Sequence, residues 1–261
     1  PVYALTGNII VSYNLLFLST FVLSGLGTYL FVREVTDSPR AAFAAGLIYA
    51  FAPYRVPQFA HLQVLSSQWM PFALYGLRKY FDTRRVAPLA GAGAALVAQN
   101  LSNGYFLLFF SPVAAAYVLF EIAARRLWRD ARVWTAIAAT AAVVALLTLP
   151  FLLPYLELRR LGFPARSLAE VATYSADVFS YWTAPPESHV WGRVVRAFPK
   201  PEGDLFPGLT SLTLAAAALA ASARHAWRRS SESAAAVRGL SPLVYVLSGL
   251  SAVYALLLIL I

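Results

Sequence analysis

The sequence predicts an all-α fold: a polytopic transmembrane helical bundle of about eight membrane helices, some short or kinked, with one long outer loop that carries short helices. Two observations lead to this prediction. Hydrophobic residues make up 59% of the 261 residues and charged residues only 13%, with a mean hydropathy of +0.63. The apolar residues also come in long runs that short arginine-rich stretches separate. This pattern is typical of a chain that folds in a bilayer.

Eight apolar runs give the predicted helices, and they are residues 9–32, 41–52, 61–77, 86–101, 105–122, 133–156, 209–223 and 243–261. A helix needs roughly 20 apolar residues to cross a bilayer; the first, fifth and sixth runs are long enough to span it, whereas the second, third and fourth are short. Asp37 or Ser38, followed by Pro39, predicts the start of the second helix. Pro150 and Pro154 predict a kink near the end of the sixth run.

The runs divide the chain into three parts. Residues 1–156 hold about six transmembrane helices, residues 157–208 form an extracytoplasmic interfacial loop, and residues 209–261 hold about two further helices, truncated at the end. The chain starts at Pro1 and stops inside an apolar run, so we expect it to be an internal piece of a longer protein.

The basic residues predict the orientation, because cytoplasmic segments carry the excess of Lys and Arg. With the N-terminus of this chain and residues 157–208 placed outside, the inner segments hold fourteen of the 21 basic residues: Arg33, Arg40, Arg78, Lys79, Arg84, Arg85, Arg125, Arg126, Arg129, Arg132, Arg224, Arg228, Arg229 and Arg238. The predicted location is the inner (cytoplasmic) membrane, as a multi-pass protein.

Composition also excludes several classes of function. The chain has no Cys, which excludes disulfides and thiolate chemistry. The basic residues lie between hydrophobic runs and not on one basic face, so the predicted partner is the lipid bilayer and not nucleic acid. His61, His189 and His225 are far apart in sequence, so no metal site is visible and no cofactor is identified, although a divalent metal stays possible.

Polar residues at the outer ends of the short runs are the candidate binding residues, because polar groups at membrane depth are costly and often functional. One cluster holds Tyr54, Arg55, His61, Gln63 and Gln68, and a second holds Gln99, Asn100, Asn103 and Tyr105.

Each candidate in these clusters has an alternative interpretation. The guanidinium of Arg55 suits a phosphate, or else lies at the membrane interface. His61 could transfer a proton, or act only as a hydrogen-bonding group. The amide side chains of both clusters could bind sugar hydroxyls, or could join neighbouring helices.

The long outer segment adds aromatic side chains that favour the headgroup layer. Ser167 followed by Glu170 predicts a helix start near Leu168. Asp177 and Glu187 are the carboxylates best placed for acid–base chemistry at the outer surface, and neither has a recognisable partner.

Four segments resemble bacterial polytopic membrane glycosyltransferases of the GT-C type, in particular the YfhO-like branch. They are LSGLGTYLFVREVTDSPRAAFAAGLIYAFAPYR at residues 23–55, HLQVLSSQWMPFAL at 61–74, QNLSNGYFLLFF at 99–110 and YSADVFSYWTAPP at 174–186. The resemblance implies transfer of a sugar from a polyprenyl-phosphate carrier at the outer face. It places Arg55 toward the carrier phosphate and Tyr174 and Asp177 near the mouth of the cavity.

The same resemblance leaves the catalytic residue unknown, because the acid of such enzymes lies in the first large outer loop, which here would fall upstream of Pro1. Two alternative functions therefore stay open. Short runs interrupted by proline also suit a transporter or lipid flippase, and a chain without the acid would be a non-catalytic membrane scaffold.

Overall fold

The structure is a computed structural model that describes residues 2–162 and 166–232, and the secondary structure of this part is helical apart from one isolated bridge between Thr183 and Arg196. The α-helices are α1 Val2–Thr6, α2 Ile9–Thr36, α3 Pro39–Ala50, α4 Leu62–Leu65, α5 Trp69–Thr83, α6 Val86–Ser102, α7 Gly104–Ala124, α8 Ala131–Thr148, α9 Leu153–Arg160, α10 Leu168–Tyr174 and α11 Leu209–Glu232. Short 3₁₀ helices lie at Pro53–Arg55, Leu149–Phe151 and Val178–Trp182. The predicted all-α fold is confirmed.

Three helical segments of the described chain are long and apolar enough to cross a membrane. They are Ile9–Thr36, Gly104–Ala124 and Ala131–Phe151, and they indicate a membrane protein. Other apolar helices, such as α6, are shorter. The count of about eight crossings therefore stays a prediction, and its last run, residues 243–261, lies outside the described residues.

The chain forms two compact units. The first combines Pro1–Phe51 with Gln58–Ala165, and the second combines Ala52–Pro57 with Arg166–Ile261. All three candidate membrane helices belong to the first unit. The predicted boundaries at residues 156 and 208 stay predictions.

Local signals set several helix ends as the sequence predicts. Ser38 caps α3, with its Oγ accepting from the amide of Ala41 at 3.3 Å, and Pro39 occupies the first turn. The sixth apolar run breaks at Pro150, where α8 gives way to a 3₁₀ turn before α9 begins at Leu153. The kink follows because proline has no backbone N–H to continue an α-helix.

The prediction of one helix over residues 61–77 is wrong. The run contains two helices, α4 and α5, with a non-helical stretch at residues 66–68 between them. Pro71 fits the first turn of α5, where its missing N–H leaves no bond unmade, and would not fit the middle of a longer helix. Helix α5 also continues past Arg78 and Lys79 to Thr83, because both side chains find carboxylate partners.

Close packing holds the helices of the first unit together. Helix α2 packs on α3 and α5, α5 packs on α6, and α6 packs on α8. Gly76 permits the approach of α5 to α6, because a Cβ at this position would lie 2.7 Å from the carbonyl oxygen of Pro88. Small residues at helix contacts are typical of membrane bundles.

The second unit folds its loops around the 3₁₀ helix Val178–Trp182. The amide of Leu205 donates to the carbonyl of Ser180 at 3.0 Å, and the amide of Phe206 donates to that of Thr183 at 3.0 Å. Ser180 and Thr183 are fully buried. Helix α10 begins after Ser167, whose Oγ accepts from the amide of Glu170 at 3.1 Å, as predicted.

Candidate functional site

Polar contacts define two opposite ends of the first unit. At one end, which we call the charged end, the last turns of α2, α5 and α7 meet through ion pairs. They are made by Glu34, Arg78, Lys79, Asp82, Glu121 and Arg125. At the other end, which we call the amide end, the residues around the α4–α5 break meet the end of α6. It holds the side chains of Gln68, Gln99, Asn100 and Asn103 and the backbone carbonyl of Gln63.

The amide nitrogens of the amide end hold neighbouring segments together. Gln99 Nε2 donates to the carbonyl of Ser66 at 2.7 Å. Asn100 Nδ2 lies 3.3 Å from Thr148 Oγ1 at the end of α8. Asn103 Nδ2 donates to the carbonyl of Gln63 at 3.2 Å, and its Oδ1 caps α7. These bonds confirm that part of the predicted second cluster joins helices.

The oxygens of the same amides behave differently. Gln68 Oε1, Gln99 Oε1 and Asn100 Oδ1 are buried and receive no hydrogen bond from the described part of the chain. Their residues are 6%, 0% and 7% exposed, respectively. A buried acceptor left unsatisfied costs about 1–3 kcal/mol. Each of the three is therefore an acceptor that an outside donor would satisfy.

An apolar groove adjoins this end. It has a volume of about 360 Å³ and is lined by Trp69 and Phe72 of α5 and by Gly91, Ala94, Ala95 and Ala98 of α6. Trp69 directly follows Gln68, and Ala98 directly precedes Gln99. The groove therefore begins where the buried amides are.

Three other predicted residues of the first unit are exposed. His61 Nδ1 lies 3.0 Å from Gln58 Oε1, so its ring has a local hydrogen-bond partner. The side chain of Gln63 is exposed, and only its backbone carbonyl joins the amide contacts. Tyr105 is 61% exposed. Their roles in binding stay predictions.

The remaining predicted residues belong to the second unit. Arg55 ends the 3₁₀ helix Pro53–Arg55 and is only 1% exposed. Tyr174 is the last residue of α10 and is exposed. Asp177 caps the helix Val178–Trp182, and its Oδ1 accepts from the amide of Ser180 at 3.0 Å.

Asp177 also has an ionic partner that the sequence did not reveal. Lys200 Nζ donates to Asp177 Oδ2 at 2.7 Å. This hydrogen bond, with that from the amide of Ser180, lowers the pKa of the Asp177 carboxyl below its ordinary value. The group is therefore an anion at neutral pH, which suits an acceptor and not a proton donor.

The charged end contains a buried carboxylate that is not among the residues predicted from the sequence. Glu121 is 1% exposed and accepts from three donors: Tyr117 Oη at 2.7 Å, Arg78 Nη1 at 3.0 Å and Arg125 Nε at 2.7 Å. A buried charge is tolerated only when it is paired and hydrogen-bonded. Glu121 meets that condition.

The same network extends to α2 and to the start of the α7–α8 turn. Arg125 also donates to the carbonyl of Phe81 at 2.7 Å and pairs with Asp82. Lys79 pairs with Glu34 of α2 at 2.9 Å. The sequence does contain one signal for this buried carboxylate: Glu121 is the only acidic residue in the predicted run 105–122, and acidic residues are rare in membrane segments unless they are paired.

Metal-binding geometry is not found in the described residues, which contain no group of three or more His, Cys, Asp or Glu side chains that could hold an ion. The amide end contributes neutral oxygens, and the carboxylates of the charged end are occupied by arginine and lysine.

The fold and the buried polar end together define a helical membrane protein with a polar site beside an apolar groove. The chain belongs to the family described as Domain of unknown function (DUF6311), which matches residues 5–258. No curated protein and no solved structure matches the chain.

Proposed function

We propose that this protein is a glycosyltransferase-like membrane protein that takes a sugar from a polyprenyl-phosphate carrier, and that the amide end of its first unit binds the sugar. The observation that supports this proposal is the set of three buried acceptors, Gln68 Oε1, Gln99 Oε1 and Asn100 Oδ1, which no donor of the described chain satisfies. The resemblance of the sequence to GT-C-type enzymes agrees with it.

Sugars match these acceptors because each hydroxyl can donate one hydrogen bond. Two of the amides are already fixed through their nitrogens, Gln99 by Ser66 and Asn100 by Thr148. Their oxygens are thus held in place before a ligand arrives, which reduces the ordering cost of binding. A ligand without hydroxyls would leave them unsatisfied and bind more weakly.

The apolar groove suits the hydrocarbon part of the carrier. Its lining from Trp69 to Ala98 is apolar, and its volume of about 360 Å³ is in the range of ligand sites. Because the groove begins beside Gln68 and Gln99, an isoprenoid chain in it would bring the attached sugar to the amide oxygens. The proposal places the amide end at the outer face of the inner membrane and the charged end at the cytoplasmic face.

The roles of Arg55 in binding the carrier phosphate and of Tyr174 and Asp177 near the cavity mouth stay predictions from the resemblance, because these residues belong to the second unit. Asp177 is an unsuitable general acid while Lys200 holds it ionised. The catalytic residue is therefore not assigned to any position of this chain.

Transfer in liposomes tests the proposal. The complete protein, reconstituted with a radiolabelled polyprenyl-phosphate sugar, should transfer label to an added acceptor, and Gln68→Met should lower the rate at least about tenfold, since one lost hydrogen bond to a reacting ligand is worth about 1.4 kcal/mol or more. Gln63→Met is the matched control, because that side chain is exposed. Equal rates for both variants would contradict the proposal.

A transporter or lipid flippase is the second candidate, favoured by the helix break between α4 and α5. Broken helices with polar groups at the break are typical of substrate sites in transporters. The same liposomes separate the two functions. A transporter would move the labelled lipid between leaflets without transferring its sugar, whereas a non-catalytic scaffold would do neither.

A further inference from the structure

The charged end of the first unit carries arginines that its own carboxylates do not neutralise. Arg78, Lys79 and Arg125 pair with Glu34, Asp82 and Glu121. In the α5–α6 and α7–α8 turns, a second group of arginines is exposed and has no ion pair within the described chain, and it consists of Arg84, Arg85, Arg126, Arg129 and Arg132. We call these five residues the turn patch.

The turn patch comes from two neighbouring turns, α5–α6 and α7–α8. Asp82 and Arg125 pair across the ends of α5 and α7, which places the two turns side by side. Tyr80 of α5 is also within electrostatic reach of both Arg84 and Asp130. The positive charges of the two turns therefore add to one field.

Internal bonds hold the α7–α8 turn in one shape. Arg125, the first residue of the turn, donates hydrogen bonds to the Glu121 carboxylate and to the carbonyl of Phe81. Asp130, the carboxylate inside the turn, caps α8 by accepting from the amides of Arg132 and Val133 at 3.0 and 3.3 Å. Trp134 Nε1 donates to the carbonyl of Trp128 at 3.1 Å. The turn thus presents its arginines on a fixed backbone.

Trp128 completes the surface. It lies between Arg126 and Arg129 and is 54% exposed, although a large aromatic ring is costly to expose to water. Tryptophan prefers the headgroup layer of a bilayer, where its ring is in an apolar environment and its N–H is near water. Arginine beside it suits the phosphate oxygens of a lipid bidentately.

We propose that the turn patch, with Trp128, is a binding site for an anionic phospholipid headgroup. The lipid phosphate and any further headgroup charge would face Arg126, Arg129 and Arg132, while Trp128 lies among the headgroups. Each arginine near an anionic surface contributes about fivefold in affinity, so neutralising three of them should weaken binding about 100-fold. This site is independent of the amide end.

Native mass spectrometry of the complete purified protein tests the proposal. Detergent-solubilised protein is titrated with phosphatidylglycerol and, separately, with phosphatidylcholine. We expect retained phosphatidylglycerol adducts, about 100-fold weaker in the triple variant Arg126→Gln/Arg129→Gln/Arg132→Gln, and no change for phosphatidylcholine. Soluble glycerol phosphate should not compete, since it lacks the acyl chains that hold a lipid at the surface.

A second triple variant tests whether the loss of affinity depends on the location of the arginines or only on the net charge of the protein. Arg160→Gln/Arg166→Gln/Arg193→Gln removes the same charge, but Arg160 and Arg166 already pair with Glu157 and Glu170. It should keep the affinity for phosphatidylglycerol, and both triple variants should keep the helical melting midpoint. Equal loss in the two variants, equal affinity for the two lipids, or competition by glycerol phosphate would overturn the proposal.

Discussion

The two ends of the first unit bury polar side chains to a similar degree but satisfy them differently. At the charged end, Glu121 is 1% exposed and accepts from three donors. At the amide end, Gln99 is fully buried and its oxygen receives none from the described residues. Burial alone therefore does not identify a binding site. A buried polar group whose hydrogen bonds are all made stabilises helix packing, whereas one that lacks a partner can accept a hydrogen bond from a ligand.

The largest expected effect tests the structural role of the charged end. Glu121→Gln removes the charge that compensates Arg78 and Arg125, so the free energy of unfolding should fall by about 3 kcal/mol. Glu34→Gln is the control, because its partner Lys79 is 37% exposed at the side chain and an exposed pair contributes less than about 1 kcal/mol. Unfolding in a denaturing detergent, followed by circular dichroism, measures both. Similar losses would show that burial does not distinguish the pairs.

A smaller effect tests the close packing of α5 against α6 at Gly76. Gly76→Ala would place a Cβ 2.7 Å from the carbonyl oxygen of Pro88 and 2.9 Å from the amide nitrogen of Ala92. Backbone atoms cannot move aside cheaply, so stability should fall by about 2 kcal/mol. Gly91→Ala meets no atom within 4 Å and should gain up to about 1 kcal/mol from helix propensity. The same detergent titration compares them, and equal changes would contradict the packing described.

The smallest predicted change concerns the part-buried ion pair of Asp177 and Lys200 in the second unit. Asp177→Asn removes the charge that Lys200 binds but leaves an oxygen to cap the 3₁₀ helix. Because folding lowers the pKa of Asp177 below 3.8, the pair stabilises the fold at neutral pH and its contribution is lost as the pH falls through the lowered pKa.

The expected result is a lower melting midpoint for Asp177→Asn at pH 7, with the difference from the natural protein vanishing in acid. Tryptophan fluorescence reports it, since Trp182 and Trp191 lie in this unit. Glu170→Gln should have no such effect, because Glu170 and Arg166 are both largely exposed and 3.7 Å apart. A constant difference at every pH would assign the effect of Asp177 to capping alone.

Local sequence signals predicted the helices well. Long apolar runs predicted α2, α7 and α8, a serine before proline predicted the start of α3, and Pro150 predicted the break after α8. The break between α4 and α5 was not predicted, although the polar residues Ser66, Ser67 and Gln68 interrupt the apolar side chains there. The length of α5 was also missed, since Arg78 and Lys79 looked like the end of a helix until their distant partners were known.

The candidate site was predicted by residue type and place but not by environment. The positions of Gln68 and Gln99 at predicted helix ends make them candidate binding residues, and the structure buries both. Gln63 is a candidate for the same reason, but its side chain is exposed. The ion pairs of Glu121 with Arg78 and of Asp177 with Lys200 join residues 43 and 23 positions apart. Such pairings depend on tertiary packing, which local pattern does not contain.

The most direct test of the central claim is the stability of Gln68→Met in the absence of ligand. If the buried oxygen of Gln68 is an acceptor kept for a ligand, replacing the amide by an apolar side chain of similar size should raise the free energy of unfolding by about 1 kcal/mol. The same variant should bind the polyprenyl-phosphate sugar at least about tenfold more weakly, while Gln63→Met changes neither quantity. A less stable Gln68→Met protein with unchanged sugar-lipid affinity would contradict the account.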